Sequence, residues 1–203
     1  MARKLLIRTN QFAYHIYNRS NNKDWFQIPL NQVWDICRES LLMASDKFNF
    51  QLHAFVLMGN HYHMLATFPD SNIDKVMYEF GRNFSMKLRN RSGRINRMFG
   101  DRYKWSIVQQ QSYLSNVVKY VYQNPLRAGL CARCEDYNYS TYSKFGKESF
   151  ADMKIQPLLE EGEEFKDWIN NQMNSDQLDC MRRGMKRSEF KLRSKGDMKL
   201  PNF

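Results

Sequence analysis

Phe50-Gln51-Leu52-His53-Ala54-Phe55-Val56-Leu57-Met58-Gly59-Asn60-His61-Tyr62-His63-Met64-Leu65-Ala66-Thr67-Phe68 holds two apolar, strand-like runs on either side of Gly59-Asn60. Gly first and Asn second is the two-residue signature of a type II′ hairpin turn. Side chains alternate between the faces of a strand, so His61 and His63 project side by side. A two-residue turn sets Met58 opposite His61 and Val56 opposite His63. Leu52, Ala54, Val56 and Met58 then share the histidine face, while Phe55, Leu57 and Met64 line the other. Both faces are largely apolar, so both need a covering layer.

Outward from the hairpin, Gln11 to Arg19 is rich in aromatic and β-branched residues and is followed by Ser20-Asn21-Asn22, which predicts a first strand. After Pro29, the recurrence of Val33, Ile36, Cys37, Leu41 and Ala44 predicts a helix. A second helix follows the hairpin, with Asn72 as its cap and Ile73, Val76, Met77, Phe80, Phe84 and Leu88 on one face. Lys87 to Arg97 reads as a basic loop and Tyr103 to Gln110 as a fourth strand. Ser112 is placed as the cap of a third helix that ends near Pro125, because proline disfavours helix in the residue before it. The order β-α-β-β-α-β-α predicts an α+β fold, a ferredoxin-like or RRM-like antiparallel sheet. The first two helices can cover one face, and the third is the natural cover for the histidines.

Residues 1–145 are read as this domain and 146–203 as a C-terminal helical and basic extension. The extension begins acidic at Glu160, Glu161, Glu163 and Glu164 and passes through a helix at Phe165, Trp168 and Ile169. It ends basic, with Arg182, Arg183, Lys186, Arg187, Lys191, Arg193, Lys195 and Lys199. Lys and Arg outnumber Asp and Glu by 31 to 21, so the net charge is +10 and a polyanion is the expected partner. The first apolar run is broken by Arg8, which argues against a secretory signal, and no stretch is long enough to span a membrane. Cys37, Cys131, Cys134 and Cys180 are scattered, which suits a reducing, cytoplasmic setting. Cys131 and Cys134 have the spacing of half a zinc site without a second pair, and are read as loop cysteines.

The third helix carries the second piece of chemistry. Leu114, Val117, Val118 and Val121 form its apolar stripe, and Tyr120 and Asn124, four residues apart, emerge on one flank. If this helix covers the histidine face, Asn124 can give a third metal ligand beside His61 and His63, and Tyr120 can reach a phosphate held there. A phenol is a poor nucleophile at neutral pH, and a metal that polarises the phosphate assists it. An amide and water beside two imidazoles, with phosphoryl chemistry, suit Mg²⁺ or Mn²⁺ better than zinc. On spacing alone, two satisfied core histidines and a tyrosine packed at a boundary are the commoner reading.

These segments resemble a known family. His53 to Leu65 is similar to the histidine-hydrophobe-histidine box of REP-associated tyrosine transposases, members of the HUH single-tyrosine superfamily. Tyr120-Val121-Tyr122-Gln123-Asn124-Pro125-Leu126-Arg127-Ala128-Gly129 resembles their tyrosine box. Tyr14-His15-Ile16-Tyr17-Asn18-Arg19 and Phe99-Gly100-Asp101-Arg102-Tyr103-Lys104 match their first-strand and pre-fourth-strand segments, so the likeness runs over residues 12–143. Gly59 stands where the family commonly has proline, and Tyr122 is a second tyrosine in the helix.

The resemblance implies Mg²⁺ or Mn²⁺ on His61 and His63, with Asn124 as the polar third ligand. It implies attack by Tyr120, giving a 5′-phosphotyrosine and a free 3′-hydroxyl. The implied substrate is single-stranded DNA with a folded hairpin, such as a repetitive extragenic palindrome, and the implied assembly is a monomer or a homodimer. Arg19, Arg102, Lys104 and Arg127 lie in or beside the matched motifs and are candidate DNA contacts. Arg182, Arg183, Lys186 and Arg187 are candidates in the tail, and the implied location is the cytoplasm, in association with the nucleoid. Two other readings keep the fold: a non-catalytic DNA-hairpin binder or repressor, and an RNA-binding module.

Overall fold

The computed structural model describes residues 5–153 and 155–192; of the expected basic tail, Arg193, Lys195 and Lys199 lie outside the described residues. Four strands, β1 (Ala13–Arg19), β2 (Gln51–Leu57), β3 (His61–Thr67) and β4 (Lys104–Val108), form one sheet in the order β2-β3-β1-β4. All pairs are antiparallel, and the fold is the expected α+β arrangement. Helices α1 (Leu30–Ser45) and α2 (Ile73–Ser92) pack on one face, and α3 (Gln111–Arg127) packs on the other. Helix α4 (Lys144–Ser149) spans the expected domain boundary, and α5 (Glu163–Asn170) and α6 (Ser175–Met185) follow.

Each face has its own core. Phe55, Leu57, Tyr62 and Met64 join Trp34, Leu41, Phe80 and Phe84 beneath α1 and α2. Ala54, Val56, Met58 and Leu65 join Leu114, Val117, Val118 and Val121 beneath α3. Phe165 and Ile169 of α5, Met173 of the link after it, and Met181 and Met185 of α6 extend this second core. Chain segments cover both outer strands. The Phe190 amide donates to the Ile107 carbonyl at 2.7 Å along β4, and the Thr141 amide donates to the Phe55 carbonyl at 2.9 Å along β2. No helix of the described residues is long and apolar enough to cross a membrane.

Several local expectations are corrected. Leu52 does not share the histidine face; a register shift between Leu52 and Ala54 turns it into the other core. The hairpin turn is not type II′, because neither Gly59 nor Asn60 has a positive φ. Gly59 is needed for a different reason: a Cβ there would lie 2.5 Å from the indole of Trp25, which is packed over the turn. Lys87 to Ser92 is helical rather than loop, because α2 runs on until Gly93 caps it at φ 69°. The side chains of Lys87 and Arg91 anchor that last stretch to Glu39 and Gln32 of α1 at 2.8 and 2.9 Å. Asn72 stands at the start of α2 but makes no side-chain cap bond.

Helix α3 is also longer than expected. Its cap is Gln110, Ser112 lies within it, and it passes through Pro125 to Arg127. Pro125 lacks the N–H that would bond the Val121 carbonyl. The carboxamide of Asn124 replaces it, donating from Nδ2 to Val121 O at 3.1 Å and to Tyr120 O at 2.8 Å.

Candidate active site

The histidines come from the hairpin and the tyrosine and the asparagine from α3; the packing of α3 over the sheet brings His61, His63 and Tyr120 near one another, with Asn124 one helical turn beyond Tyr120. Alternation along β3 puts His61 and His63 on the α3 face, with ring centroids 5.3 Å apart. The ring of Tyr120 stands edge-on to His63 at 5.7 Å. Register sets Arg19 opposite His61 and Tyr17 opposite His63, and Tyr17 stacks on His63 at 5.7 Å. Tyr122 is excluded from this cluster. It is buried on the opposite flank of α3, stacked on Tyr142, with its hydroxyl 3.3 Å from Thr141 Oγ1. Burial pushes the Tyr122 phenol well up, so it stays protonated.

Both hairpin imidazoles are held in the neutral form. Desolvation lowers His61 to about 4, with the positive charge of Arg19 adding to the effect. His63 is driven well below its ordinary value, first by desolvation and then by charges on His15, His61, Arg127 and Arg19. The His61 tautomer is also fixed. Asn60 donates from Nδ2 to the Lys23 carbonyl at 2.7 Å, so its Oδ1 is the atom 2.6 Å from His61 Nδ1. His61 therefore donates from Nδ1 and keeps the Nε2 lone pair, the arrangement that metal-bound histidines require.

Asn124 is engaged on its oxygen as well as its nitrogen. Arg127 donates from Nη2 to Asn124 Oδ1 at 2.9 Å and lays its guanidinium over the Tyr120 ring, 4.7 Å from the centroid. A carbonyl oxygen has two lone pairs, so one remains for a cation. Among the described residues no group of three or more His, Cys, Asp and Glu is disposed to hold a metal. Asn124 reaches the cluster only through its neighbours on α3, by its bond to the Tyr120 carbonyl and through Arg127.

The basic candidates divide by location. Arg19 and Lys104 line a polar cavity of ≈ 440 Å³ together with Tyr17, Asn18, Lys23 and Asp101, adjoining the histidines through Tyr17. Lys104 pairs with Asp101 at 3.1 Å, an exposed ion pair of little strength. Arg102 opens instead into a separate cavity of ≈ 410 Å³ beside Tyr78 and Arg82 of α2. Arg127 is not an open surface charge but a brace on Tyr120 and Asn124. Arg182 bonds Asp179 at 3.4 Å and lies near enough to Arg127 for its charge to lower the Arg127 pKa, after the larger effect of desolvation. Arg183, Lys186 and Arg187 are exposed at the end of α6 and just beyond it. Cys131 and Cys134 are free thiols, and Cys134 is buried against the Ile169 carbonyl.

Sequence reasoning missed His15. It is buried, its Nε2 lies 3.0 Å from His63 Nδ1, and burial lowers it to about 3. The signal was present, since a ferredoxin-like order sets the first strand beside the third, and His15 has the parity of the histidine face. Exposed Trp25 on the hairpin turn was missed too; only its contact with Gly59 reveals its place.

With this geometry in view, comparison with known proteins is informative. A family model described as "Transposase IS200 like" matches residues 8–124, more than half of the chain. No curated protein matches the sequence. Among solved structures, a REP-associated tyrosine transposase bound to a REP hairpin superposes with a TM-score of 0.60 at 17% identity, covering 80% of this chain and 93% of that one. A Deinococcus radiodurans R1 protein described as a candidate transposase aligns with a TM-score of 0.40 at 12% identity, over 60% of this chain and 94% of that one. The match over residues 8–124 and the fold agree: the chain belongs to the IS200-like transposase family of DNA-cleaving enzymes.

Proposed function

We propose that this transposase is a metal-dependent endonuclease and strand transferase for single-stranded DNA bearing a hairpin, with Tyr120 as its nucleophile. The observation that carries the reading is the edge-on approach of the Tyr120 ring to His63, 5.7 Å away, on the face where His61 and His63 stand side by side. His61 and His63 would hold Mg²⁺ or Mn²⁺ with Asn124. The two imidazoles fit such an ion: one has its Nδ1 committed to a carboxamide oxygen, and both are neutral. When bound, the ion polarises the scissile phosphate and offsets the charge that develops on it.

The protein's own groups supply the rest. Tyr120 Oη attacks phosphorus, the bond to the 3′-oxygen breaks, and the products are a 5′-phosphotyrosine and a 3′-hydroxyl. Arg127 fixes the ring of Tyr120 and the carboxamide of Asn124 in one orientation. Arg19 and Lys104 line the adjoining cavity and bind flanking phosphates, Lys104 exchanging its weak pair with Asp101 for the DNA. Residues 146–203 act as a DNA-binding tail, in which Arg182, Arg183, Lys186 and Arg187 grip the hairpin or its flank, and Arg102 contacts DNA from the α2 side. The hairpin bound by the structurally similar protein supports this choice of substrate.

Covalent capture tests the reading. Labelled single-stranded hairpin DNA with Mn²⁺ is expected to give an adduct that survives denaturation. Tyr120→Phe is expected to abolish it and Tyr122→Phe to retain it. Hairpin binding with neither adduct nor scission would identify a non-catalytic binder, and a preference for RNA of the same sequence would identify an RNA-binding module.

A further inference from the structure

The contact between His15 and His63 makes a demand that the proposed metal site must meet. The 3.0 Å between His15 Nε2 and His63 Nδ1 leaves room for a single proton in the gap, so one ring donates and the other accepts. If His15 donates, His63 carries its proton on Nε2 and has no lone pair to offer an ion. If His63 donates, its Nε2 is a free donor. We propose that His15 is a positioning residue that locks His63 in the second tautomer, with its ring turned for ligation by Nε2. This rests on the metal reading above and adds to it a residue outside the expected ligand set.

The surroundings of His15 agree. In the locked tautomer His15 carries its proton on Nδ1, which is buried and has no partner among the described residues. Ser106, its direct cross-strand neighbour, has a buried Oγ equally without a partner. Asn116 is 0% exposed and neither atom of its carboxamide is paired. Asn116 precedes Tyr120 by one turn of α3, and the Tyr120 ring lies 6.0 Å from His15. Three unpaired polar side chains thus gather where β1, β4 and α3 meet. An internal water shared with Ser106 Oγ and the Asn116 carboxamide would accept the hydrogen bond from His15 Nδ1.

The test reads the tautomer and the metal separately. In metal-free protein with ¹⁵N-labelled histidine, long-range NMR correlations are expected to show His63 protonated on Nδ1. His15→Phe, which keeps a ring and removes both nitrogens, is expected to abolish that preference. It is also expected to weaken Mn²⁺ binding, measured by electron paramagnetic resonance, by about 10–100-fold, the usual effect of removing such a partner. His15→Gln restores an acceptor and is expected to recover most of the affinity; it also carries the test if His15→Phe does not fold. Protonation of His63 on Nε2 in the parent protein overturns the proposal, as does unchanged Mn²⁺ affinity in a folded His15→Phe. If the parent binds no Mn²⁺ yet shows the Nδ1 tautomer, the metal reading fails and the role of His15 stands.

Discussion

Three imidazoles, His15, His61 and His63, share one small region, and their burial sets a cost that depends on pH. Their folded values lie below the ordinary value of about 6.5, with His15 at about 3 and His61 at about 4. His53, bonded to Thr67 and the Gln156 carbonyl, is shifted the same way. A base with a depressed folded value is neutral in the native state and charged in the unfolded chain as pH falls. Its contribution is whole above about pH 6.5 and is lost as pH drops from there through the folded values. Urea unfolding midpoints are therefore expected to be level above about pH 7 and to decline steadily toward pH 4. His15→Phe should make that decline shallower; an identical slope in this variant would show that His15 is not held neutral by burial. Carboxylates such as Asp74, whose value is lowered by Arg8, enter only below about pH 5, so the fall between about pH 7 and 5 belongs to the histidines.

The elements were legible to different degrees. Alternation in β2 and β3 and the three-and-four spacing in α1 to α3 suffice to place every layer, because burial on one face leaves a periodic trace. What left no trace was decided by side-chain hydrogen bonds, some local and some distant in sequence. The end of α3 was misjudged because the substitute for the missing Pro125 donor is the side chain of Asn124, which a backbone rule does not count. Tyr120 and Asn124 were visible as a pair, but the role of Arg127 as their brace was not, since it depends on the helix continuing past proline. Gln123, between them, was read only as part of a motif. It is fully buried and donates from Nε2 to the carbonyls of Ile169 and Asn171, both at 2.8 Å, while Oε1 accepts from the Met173 amide at 3.1 Å. Gln123→Ala strands the two most buried of these groups, the Ile169 carbonyl and the Met173 amide, at roughly 1–3 kcal/mol each. A loss of about 2–4 kcal/mol in denaturant unfolding is expected, with little change in m; a loss below about 0.5 kcal/mol would mean that the turn after α5 is not secured by this side chain.

For the molecule as a whole, positive charge stands both in the cavity beside the histidines and at the end of α6, with Arg182 near Arg127 between them. Release of counterions makes the logarithm of affinity fall with the logarithm of salt concentration, by about 0.9 per phosphate neutralised on a duplex. Replacing Arg182, Arg183, Lys186 and Arg187 together with Gln is expected to flatten that dependence by about 0.9 for each stem phosphate that these side chains neutralise. Titrations of hairpin DNA at several salt concentrations measure it directly, and an unaltered slope would remove these residues from the interface. The ends of the sheet bear on assembly. Ser188 and Phe190 occupy the hydrogen-bonding groups of Ile107 on one flank, and Tyr139 and Thr141 occupy those of Leu57 and Phe55 on the other. Two copies of this chain thus have no free strand margin at these positions with which to join their sheets into one. For copies to pair through these positions, each would first have to peel away a stretch of backbone that it already uses to close itself.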